Sequence, residues 1–404
     1  MAKHKVVFQP VGSKIELDHE ASILEAAAEA GIYMNSLCGG EGVCGKCRVQ
    51  ITRGEAKPTS HSMRFLSREE INTGFVLACR TEIRDDLEIW VPPEARLEEE
   101  QILTTESMVC YDQPQDLQVR DNFDLPSLLY LPVTKKLHLS LPEPSLTDNI
   151  SDLDRIYREV RKKIQAPYLE ASLSTLRGLA ELLRENKWQA TATLHPHDEH
   201  CVEILSLEPG DTCAENYGVA CDIGTTTIVA QLVDLRSGAT LGVEASHNQQ
   251  AKYGEDVISR MIFACGRGGL SPIHHAVIDS INTLIDTLLE KHGVQASNVT
   301  ALTASGNTTM THLFLGLQPC TISLEPYIPT ANFLPSAYAD ELDLHLHPKA
   351  VVGCMPWVSS YVWGDITAGV LDSGISNSPQ VSALIDIGTN GEIVIVNDEW
   401  LVCC

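Results

Sequence analysis

Alternating and helically spaced apolar residues divide the chain into regions of different secondary structure. Near the N-terminus, residues 4–10 and 14–17 alternate like the two strands of a hairpin, and residues 22–30 carry apolar side chains at helical spacing up to Gly31. Further strands are predicted near residues 48–52 and 87–91. These elements predict a small mixed sheet with one helix, within a first domain that covers residues 1–93.

The pattern changes after this first domain. Residues 94–128 are acidic and show little periodicity, which predicts a linker; a loop lying along the next domain is the alternative. Residues 129–212 predict a small α/β middle domain. Its predicted strands and helices cover residues 131–141 (strand), 152–164 and 168–184 (amphipathic helices), and 188–194 and 201–207 (a hairpin).

Three histidines, His195, His197 and His200, lie near the turn of the predicted hairpin. Three imidazoles in one turn raise the question of a metal site. They alternate with proline and acidic residues, however, as in an ordinary solvated turn. We therefore favour the solvated turn over metal binding.

Residues 213–404 predict a larger α/β domain. An apolar strand, a tight polar turn and a second apolar strand begin at Tyr217 and are followed by a third strand near residues 240–246. Further elements are predicted at residues 255–265 and 273–292 (helices), 299–304 (strand), 308–315 (helix), 351–353 (strand) and 363–371 (helix). The predicted order is β-β-β-α-β-α-β-α.

The charge of the chain limits its partners. With a formal net charge of −25 over 404 residues, the protein is expected to repel nucleic acid and anionic membrane surfaces. The acidic surface is either simply solvated or a docking face for a basic partner. No apolar run approaches the roughly 18 residues of a membrane helix, and the start of the chain does not resemble a signal peptide. We expect a cytoplasmic protein.

Four cysteines near the N-terminus have the spacing of an iron–sulfur site. Cys38, Cys44 and Cys47 lie on one glycine-rich loop and Cys79 follows later, which gives C-x5-C-x2-C-x31-C. Four thiolates in this arrangement suit a [2Fe–2S] cluster, and the glycines allow the backbone to wrap around it. A structural zinc site, or thiols that bind nothing, is the alternative, but four-cysteine zinc sites usually pair two C-x2-C units. The other nine cysteines are scattered, which favours a reducing cytoplasm over a disulfide scaffold.

The cysteine loop resembles that of the plant-type and adrenodoxin-type ferredoxins. The first interval of five residues is more similar to the adrenodoxin side. The resemblance implies a β-grasp fold for residues 1–93, with Cys38, Cys44, Cys47 and Cys79 as the cluster ligands.

A D-I-G-T turn occurs twice, and each copy lies between two apolar strands. The first contains Asp222 and the second begins 164 residues later at Asp386. In such a turn, backbone N–H groups and threonine hydroxyls can hold a phosphate, and the aspartate can hold Mg²⁺ or its waters. A glycine turn at Gly306 and Asn307, before a predicted helix, could receive an anion or serve only packing.

The two turns resemble the phosphate loops of the acetate and sugar kinase, heat-shock ATPase and actin superfamily. This resemblance implies a duplicated, ribonuclease H-like nucleotide fold. It also implies that Asp222 and Asp386 have catalytic roles around phosphate and Mg²⁺. The cofactor-binding candidates at these turns are Asp222, Gly224, Thr225, Thr226, Gly306, Asn307, Asp386, Gly388, Thr389 and Asn390.

The whole chain resembles the reductive activators of corrinoid proteins. The resemblance implies a multidomain α/β and α+β protein with a ferredoxin-like domain (1–93), a linker (94–128), a middle domain (129–212) and an actin-like domain (213–404). It further implies ATP-dependent transfer of one electron, supplied by a low-potential donor, to an inactive Co(II) corrinoid protein, which regenerates Co(I). Two alternatives are an iron–sulfur electron carrier whose nucleotide-type fold only docks partners, and a small-molecule kinase with an added redox sensor.

The second half of the duplicated fold has barely begun at the last residue printed, Cys404. We expect an incomplete gene product, with a natural short form as the alternative. Both phosphate loops are present, but the glycine-rich adenosine loop of the superfamily is not. ATP binding by the 404 residues is therefore expected to be weak and to recover when the chain is extended.

Overall fold

A computed structural model describes most of the chain. It covers residues 4–17, 21–32, 34, 42, 45–56, 59, 62–96, 132–164, 166–197, 200–357, 363–377, 379–387 and 391–403. Within these residues the strands form four sheets and the buried apolar side chains form four separate clusters. The fold is therefore multidomain α/β and α+β, as expected. Nearly all of the predicted linker lies outside the described residues.

The N-terminal domain is a five-stranded mixed sheet crossed by one main helix. Its elements are β1 (His4–Gln9), β2 (Ser13–Leu17), α1 (Ile23–Glu29), β3 (Arg48–Arg53), α2 (Arg68–Asn72), β4 (Phe75–Leu77) and β5 (Leu87–Trp90). The strand order is β2-β1-β5-β3-β4, and only the β1–β5 pair is parallel. Ser22 begins α1 through a capping box with Glu25. The predicted hairpin, helix and strands are confirmed.

The middle domain is a four-stranded sheet covered by helices. Its elements are β6 (Lys135–Ser140), α3 (Asp152–Lys163), β7 (Tyr168–Ala171), α4 (Leu173–Leu176), α5 (Leu179–Glu185), β8 (Gln189–Pro196) and β9 (Cys201–Pro209). The strand order is β6-β8-β9-β7. The apolar residues of α3 face the sheet, with Ile156 and Val160 fully buried.

The prediction of one helix over residues 168–184 is wrong. The first four residues form β7, which pairs in parallel with β9 and buries Leu169. Ser172 then caps α4, and Gly178, with φ of +83°, separates α4 from α5. The sheet edge offers β7 backbone partners that an isolated helix could not match, and a left-handed glycine interrupts a helix.

The third domain contains a six-stranded sheet and its covering helices. Its elements are β10 (Tyr217–Ile223), β11 (Thr227–Asp234), β12 (Thr240–His247), α6 (Val257–Cys265), α7 (Leu270–His292), β13 (Val299–Gly306), α8 (Thr308–Phe314), β14 (Ala337–Tyr338), β15 (Val351–Cys354) and α9 (Gly364–Ser373). The strand order is β12-β11-β10-β13-β15-β14, with β10, β13 and β15 parallel and β11 antiparallel. This agrees with the predicted half of an actin-like fold.

A separate antiparallel meander follows α9. It consists of β16 (Ser382–Ile387), β17 (Gly391–Val396) and β18 (Leu401–Cys403). Val394 and Val396 pack against Ile366 and Val370 of α9. Asp386 and Ile387 of the second D-I-G-T therefore end the first strand of a hairpin, as Asp222 and Ile223 do at the end of β10.

One pair of cysteines departs from the expectation of scattered thiols. Cys265 and Cys320 form a disulfide with a Cα–Cα separation of 5.7 Å. The end of α6 lies beside the 3₁₀ turn at Cys320–Ile322, which brings together two cysteines 55 residues apart. The sequence contains no local signal for this pairing.

Buried polar contacts join the middle domain to the third domain. The hydroxyls of Thr134 and Thr300 are 2.5 Å apart, and the Asn216 amide donates to the Thr134 carbonyl at 3.2 Å. In another contact between the two domains, the Tyr338 hydroxyl donates to a carboxylate oxygen of Glu203 at 2.6 Å. Lys136 Nζ donates to Glu208 Oε2 at 2.9 Å within the middle domain. It also donates across the boundary to Asn298 Oδ1 at 3.3 Å. We refer to this set as the interdomain contacts.

Replacing Glu208 with glutamine is expected to lower the free energy of unfolding by about 3 kcal/mol, because it leaves the buried Lys136 ammonium without an opposite charge. The Lys136 side chain is only 1% exposed. The control Glu244→Gln breaks the more exposed pair with Lys291 and should cost less than about 1 kcal/mol. Urea unfolding curves would measure both, and equal losses would contradict the prediction.

Candidate functional site

Two of the four predicted cluster cysteines meet at the start of β3 and the end of β4. Cys47 immediately precedes β3, and Cys79 lies in the 3₁₀ turn Ala78–Arg80 that follows β4. Their sulfur atoms are 3.3 Å apart, and the Ala78 N–H donates to the Cys47 carbonyl at 2.8 Å. Neither sulfur belongs to a disulfide within the described residues. The hydrogen bond with Cys79, partly offset by burial, lowers the pKa of Cys47 to about 7, which favours the thiolate that a metal needs.

The cysteine loop is held by one arginine. Arg48 Nε donates to the Gly45 carbonyl at 2.8 Å, Nη2 donates to the Phe65 carbonyl at 2.9 Å, and Nη1 pairs with Glu70 at 2.8 Å. Gly45 has φ of +66°, and a Cβ there would lie 2.9 Å from the Phe65 side chain, so only glycine fits. Cys38 and Cys44 lie outside the described residues, and their role stays a prediction.

The first D-I-G-T turn lies at the carboxyl end of β10. Asp222 is the next-to-last residue of the strand, and Gly224, Thr225 and Thr226 form the turn to β11. A Cβ on Gly224 would lie 2.5 Å from the Thr227 carbonyl, so this turn needs glycine. Thr225 is buried. We call residues 224–226 the first phosphate loop.

Gly306 and Asn307 lie directly beside this loop. Gly306 pairs with Ile223 at the end of β13, and a Cβ on Gly306 would lie 2.7 Å from the Ile223 carbonyl. Asn307 caps α8 by accepting from Met310, and its amide donates to the Thr225 hydroxyl at 3.1 Å. The structure thus brings these candidates together at the carboxyl ends of two parallel strands, where open α/β sheets bind ligands.

Four carboxylates at this end of the sheet lie close enough to influence one another's charge. Asp222 is joined by Asp365 in the first turn of α9 and by Asp386 and Glu392, which pair across the β16–β17 hairpin. We call these four residues the carboxylate cleft. Gly388, Thr389 and Asn390 of the second turn lie outside the described residues.

The carboxylates of the cleft raise one another's proton affinity. Asp222 is an exposed residue by surface area, but the protein around its carboxyl still limits the solvation of the charge. Burial, and then the charges of Asp365 and Asp386, raise its pKa to about 6. Burial also raises the pKa of Asp365 and of Glu392, with nearby carboxylates acting in the same direction. A cation in the cleft would relieve this repulsion.

The carboxylates do not converge on a single point. In the described part of the chain, no three His, Cys, Asp or Glu side chains are arranged to bind a metal ion together. Mg²⁺ usually keeps several waters and takes only one or two carboxylates beside its phosphates. A hydrated Mg²⁺ bound to a phosphate group would not need three converging carboxylates.

His195 and His197, near the turn of the middle-domain hairpin, contact other protein groups. His195 Nδ1 lies 2.8 Å from the Val133 carbonyl, and His197 Nε2 lies 3.0 Å from Glu203. Burial lowers the pKa of His195, which keeps its imidazole neutral. These contacts anchor the end of the middle-domain hairpin.

Sequence reasoning missed three residues of the site: Asn248, Asp365 and Glu392. Asp365 stands in a predicted helix, and Glu392 lies three residues after the second D-I-G-T. Neither position signals that the side chain lies near other carboxylates of the site. Asn248 follows the third strand, where its polar type is typical of a loop. Only the folded chain shows that it contacts the first phosphate loop.

Within the residues that the structure describes, no helix combines the length and apolar character needed to cross a membrane.

Three family models match consecutive parts of the chain. Residues 6–84 match the 2Fe-2S iron-sulfur cluster binding domain. Residues 127–214 match the RACo linker region, and residues 217–378 match the RACo middle region. The N-terminal unit is thus a 2Fe-2S domain.

Individual relatives agree with these matches. The corrinoid activation enzyme RamQ of Eubacterium limosum is 28% identical over 403 residues, which are 98% of this chain and 60% of that protein. A component of the Na⁺-translocating NADH-quinone reductase of Haemophilus ducreyi is 26% identical over 287 residues, which are 67% of this chain and 62% of that protein.

A solved structure also matches nearly the whole chain. It is a reductive activator for corrinoid, iron-sulfur protein, with 39% identity, a TM-score of 0.65, and coverage of 99% of this chain and 62% of that chain. The present chain therefore spans about 60% of the length of the corrinoid activators that it matches. It joins a 2Fe-2S domain to the RACo linker and middle regions, and it is homologous to the reductive activators of corrinoid proteins.

Proposed function

We propose that the protein is an ATP-dependent reductive activator of a corrinoid protein. In this role it transfers one electron to an inactive Co(II) corrinoid protein, which becomes Co(I). The observation that carries the proposal is the combination, in one chain, of two cysteine sulfurs 3.3 Å apart in a 2Fe-2S domain and a carboxylate cleft beside the first phosphate loop. The homologous proteins named as corrinoid activators support the choice of partner.

Cys38, Cys44, Cys47 and Cys79 would hold the [2Fe–2S] cluster. When bound, the cluster would supply a one-electron carrier with a potential near roughly −400 mV. The near-contact of the Cys47 and Cys79 sulfurs and the lowered pKa of Cys47 fit this role. Arg48 donates to the carbonyls of both Gly45 and Phe65 and so holds the end of the cysteine loop, just before Cys47, against the rest of the domain.

The first phosphate loop and the carboxylate cleft would hold Mg²⁺ and the phosphates of ATP. Backbone N–H groups at Gly224 and Thr226 and the Thr225 hydroxyl would donate to phosphate oxygens. Asp222 and Asp386 would hold waters of the Mg²⁺ ion, and Asp365 and Glu392 would add negative charge around it. Gly388, Thr389 and Asn390 would form the second phosphate loop.

Energetics explain why an electron carrier would use a nucleotide. The Co(II)/Co(I) couple of a corrinoid is expected to lie below the potential of a plant-type cluster. For one electron, each deficit of about 59 mV reduces the equilibrium yield tenfold. Nucleotide binding that stabilises the productive complex, or that removes a ligand from cobalt, would offset this deficit.

The test is reduction of a Co(II) corrinoid protein under anaerobic conditions. Because ATP binding by the 404 residues is expected to be weak, MgATP is supplied in large excess. Under these conditions we expect the protein, a low-potential reductant and MgATP together to produce the Co(I) absorption band at least tenfold faster than the reductant alone. The variant Asp222→Ala should lose the ATP-dependent part of this acceleration. Acceleration that ATP does not change would favour the alternative of a plain electron carrier.

A second outcome separates the remaining alternatives. If neither the protein nor ATP accelerates Co(I) formation, the corrinoid partner is wrong. Phosphorylation of a small molecule by the protein would instead favour the kinase alternative.

A further inference from the structure

We propose that Asn248 is a positioning residue that sets the shape of the first phosphate loop. The inference rests on the proposed function, because it concerns the same phosphates. Asn248 does not touch them. It binds the carbonyl side of the loop, so that the N–H groups of the loop stay available to an anion.

Asn248 contacts both ends of the loop. Its side-chain amide donates to the Gly224 carbonyl at 2.9 Å, and its backbone N–H donates to the Thr226 carbonyl at 2.8 Å. The side chain is completely buried. Its oxygen accepts from the Gln250 N–H at 3.0 Å, which fixes the orientation of the amide. The carbonyl oxygens of Gly224 and Thr226 are thereby directed towards Asn248, away from the side of the loop where we propose that phosphate binds.

A second layer holds Asn248 and its neighbours in place. The Gln250 amide donates to the Ile273 carbonyl at 2.9 Å, which anchors it to α7. Arg260 is also fully buried, and its Nε donates to the Gly254 carbonyl at 2.6 Å. Arg260 Nη1 lies 3.2 Å from the Met310 sulfur, at the start of α8. This layer connects α6, α7 and α8 below the loop.

The loop is therefore supported from two directions. Asn248 fixes the carbonyls of Gly224 and Thr226, and Asn307 fixes the hydroxyl of Thr225. Phosphate binding by backbone N–H groups depends on their convergence, so a preformed loop binds an anion without an additional ordering cost. Removing the Asn248 amide would leave the partly buried Gly224 carbonyl without this donor.

The experiment compares two buried asparagines that make similar bonds. Asn282 donates to the Asp343 carbonyl at 2.9 Å and accepts from the His345 N–H at 2.9 Å, but these contacts do not involve the loop. Asn248→Ala and Asn282→Ala each remove one buried amide without adding charge. The variant Asn248→Ser retains a hydroxyl acceptor for the Gln250 N–H and lacks the long amide donor; it serves if the alanine variant does not fold.

The probe is magnesium tripolyphosphate, which needs the phosphate loops and no adenine contacts. Its dissociation constant is measured by ³¹P NMR, and that of Mn²⁺ alone by electron paramagnetic resonance. We expect Asn248→Ala or Asn248→Ser to weaken tripolyphosphate binding about tenfold or more, because a buried donor is lost. Mn²⁺ binding should change less than about twofold, because the carboxylates remain. Asn282→Ala should leave both constants within about twofold of the unchanged protein.

Each result decides a different question. Equal effects of the Asn248 and Asn282 substitutions on tripolyphosphate would overturn the positioning role while leaving the phosphate site in place. A parallel loss of Mn²⁺ and tripolyphosphate in the Asn248 variants would also overturn it, because this indicates general unfolding. If the unchanged protein does not bind tripolyphosphate at millimolar concentration, the proposed phosphate site itself is wrong.

Discussion

Cys47→Ser is expected to abolish the iron–sulfur cluster completely. The unchanged protein, purified without oxygen, should contain roughly two irons and two sulfides and give a paramagnetic signal after one-electron reduction. The variant should give neither, because serine cannot replace the thiolate whose pKa is lowered beside Cys79. Cys44→Ala should have the same effect if the predicted ligand set is correct.

A matched control is available in the middle domain. Cys213 is a free, partly buried thiol, but burial and the nearby Asp211 raise its pKa, so it stays a neutral thiol. Cys213→Ser should keep the full iron and sulfide content. Stoichiometric zinc in place of iron in the unchanged protein, after strictly anaerobic expression, would show that the site is structural.

Asp222→Asn is expected to have opposite effects on stability and on Mg²⁺-dependent binding. The pKa of Asp222 is raised from 3.8 to about 6 in the folded chain. A carboxyl with a raised pKa stabilises the fold below about pH 4, and this contribution is lost as the pH rises through about 6. At pH 7.5 in EDTA, the asparagine variant should therefore unfold a few degrees higher than the unchanged protein. At pH 4 the difference should largely disappear.

The same substitution should remove the Mg²⁺-dependent part of phosphate binding, because the ionised carboxylate is what the cation needs. Asp234, at the other end of the same hairpin, is the control. Although burial raises its pKa, hydrogen bonds from Arg236 and Ser237 lower it below the usual value. Asp234→Asn should therefore reduce stability at pH 7.5. Calorimetry at both pH values would measure these shifts, and a less stable Asp222→Asn variant at pH 7.5 would contradict the argument.

Local patterns were sufficient to predict the elements that surround the site. The D-I-G-T turn between β10 and β11 needs no tertiary information, because alternating apolar residues and one glycine determine it. The same is true of the capped helix α1 and of β13 leading into α8. These patterns predict the order of the elements along the chain but not the order of the strands within the sheet.

Contacts between distant segments could not be predicted in this way. Residues 168–171 have helical spacing, yet the edge of β9 converts them to a strand. Asp365 becomes part of the carboxylate cleft only because α9 begins beside the carboxyl end of β10. The Cys265–Cys320 disulfide and the Asn248 contacts likewise depend on the packing of α6 and α7, which sequence periodicity does not specify.

The interdomain contacts have a mechanical consequence. Sliding the middle domain over the third domain would remove the partners that the Thr134 hydroxyl and the Asn216 amide group have across the boundary, at about 1–3 kcal/mol for each. The middle domain is therefore held against the sheet of the third domain by hydrogen bonds at Thr134 and Tyr338. Moving one domain relative to the other would have to break these bonds, so we expect the two domains to behave as one unit when the cluster-bearing N-terminal domain approaches a partner.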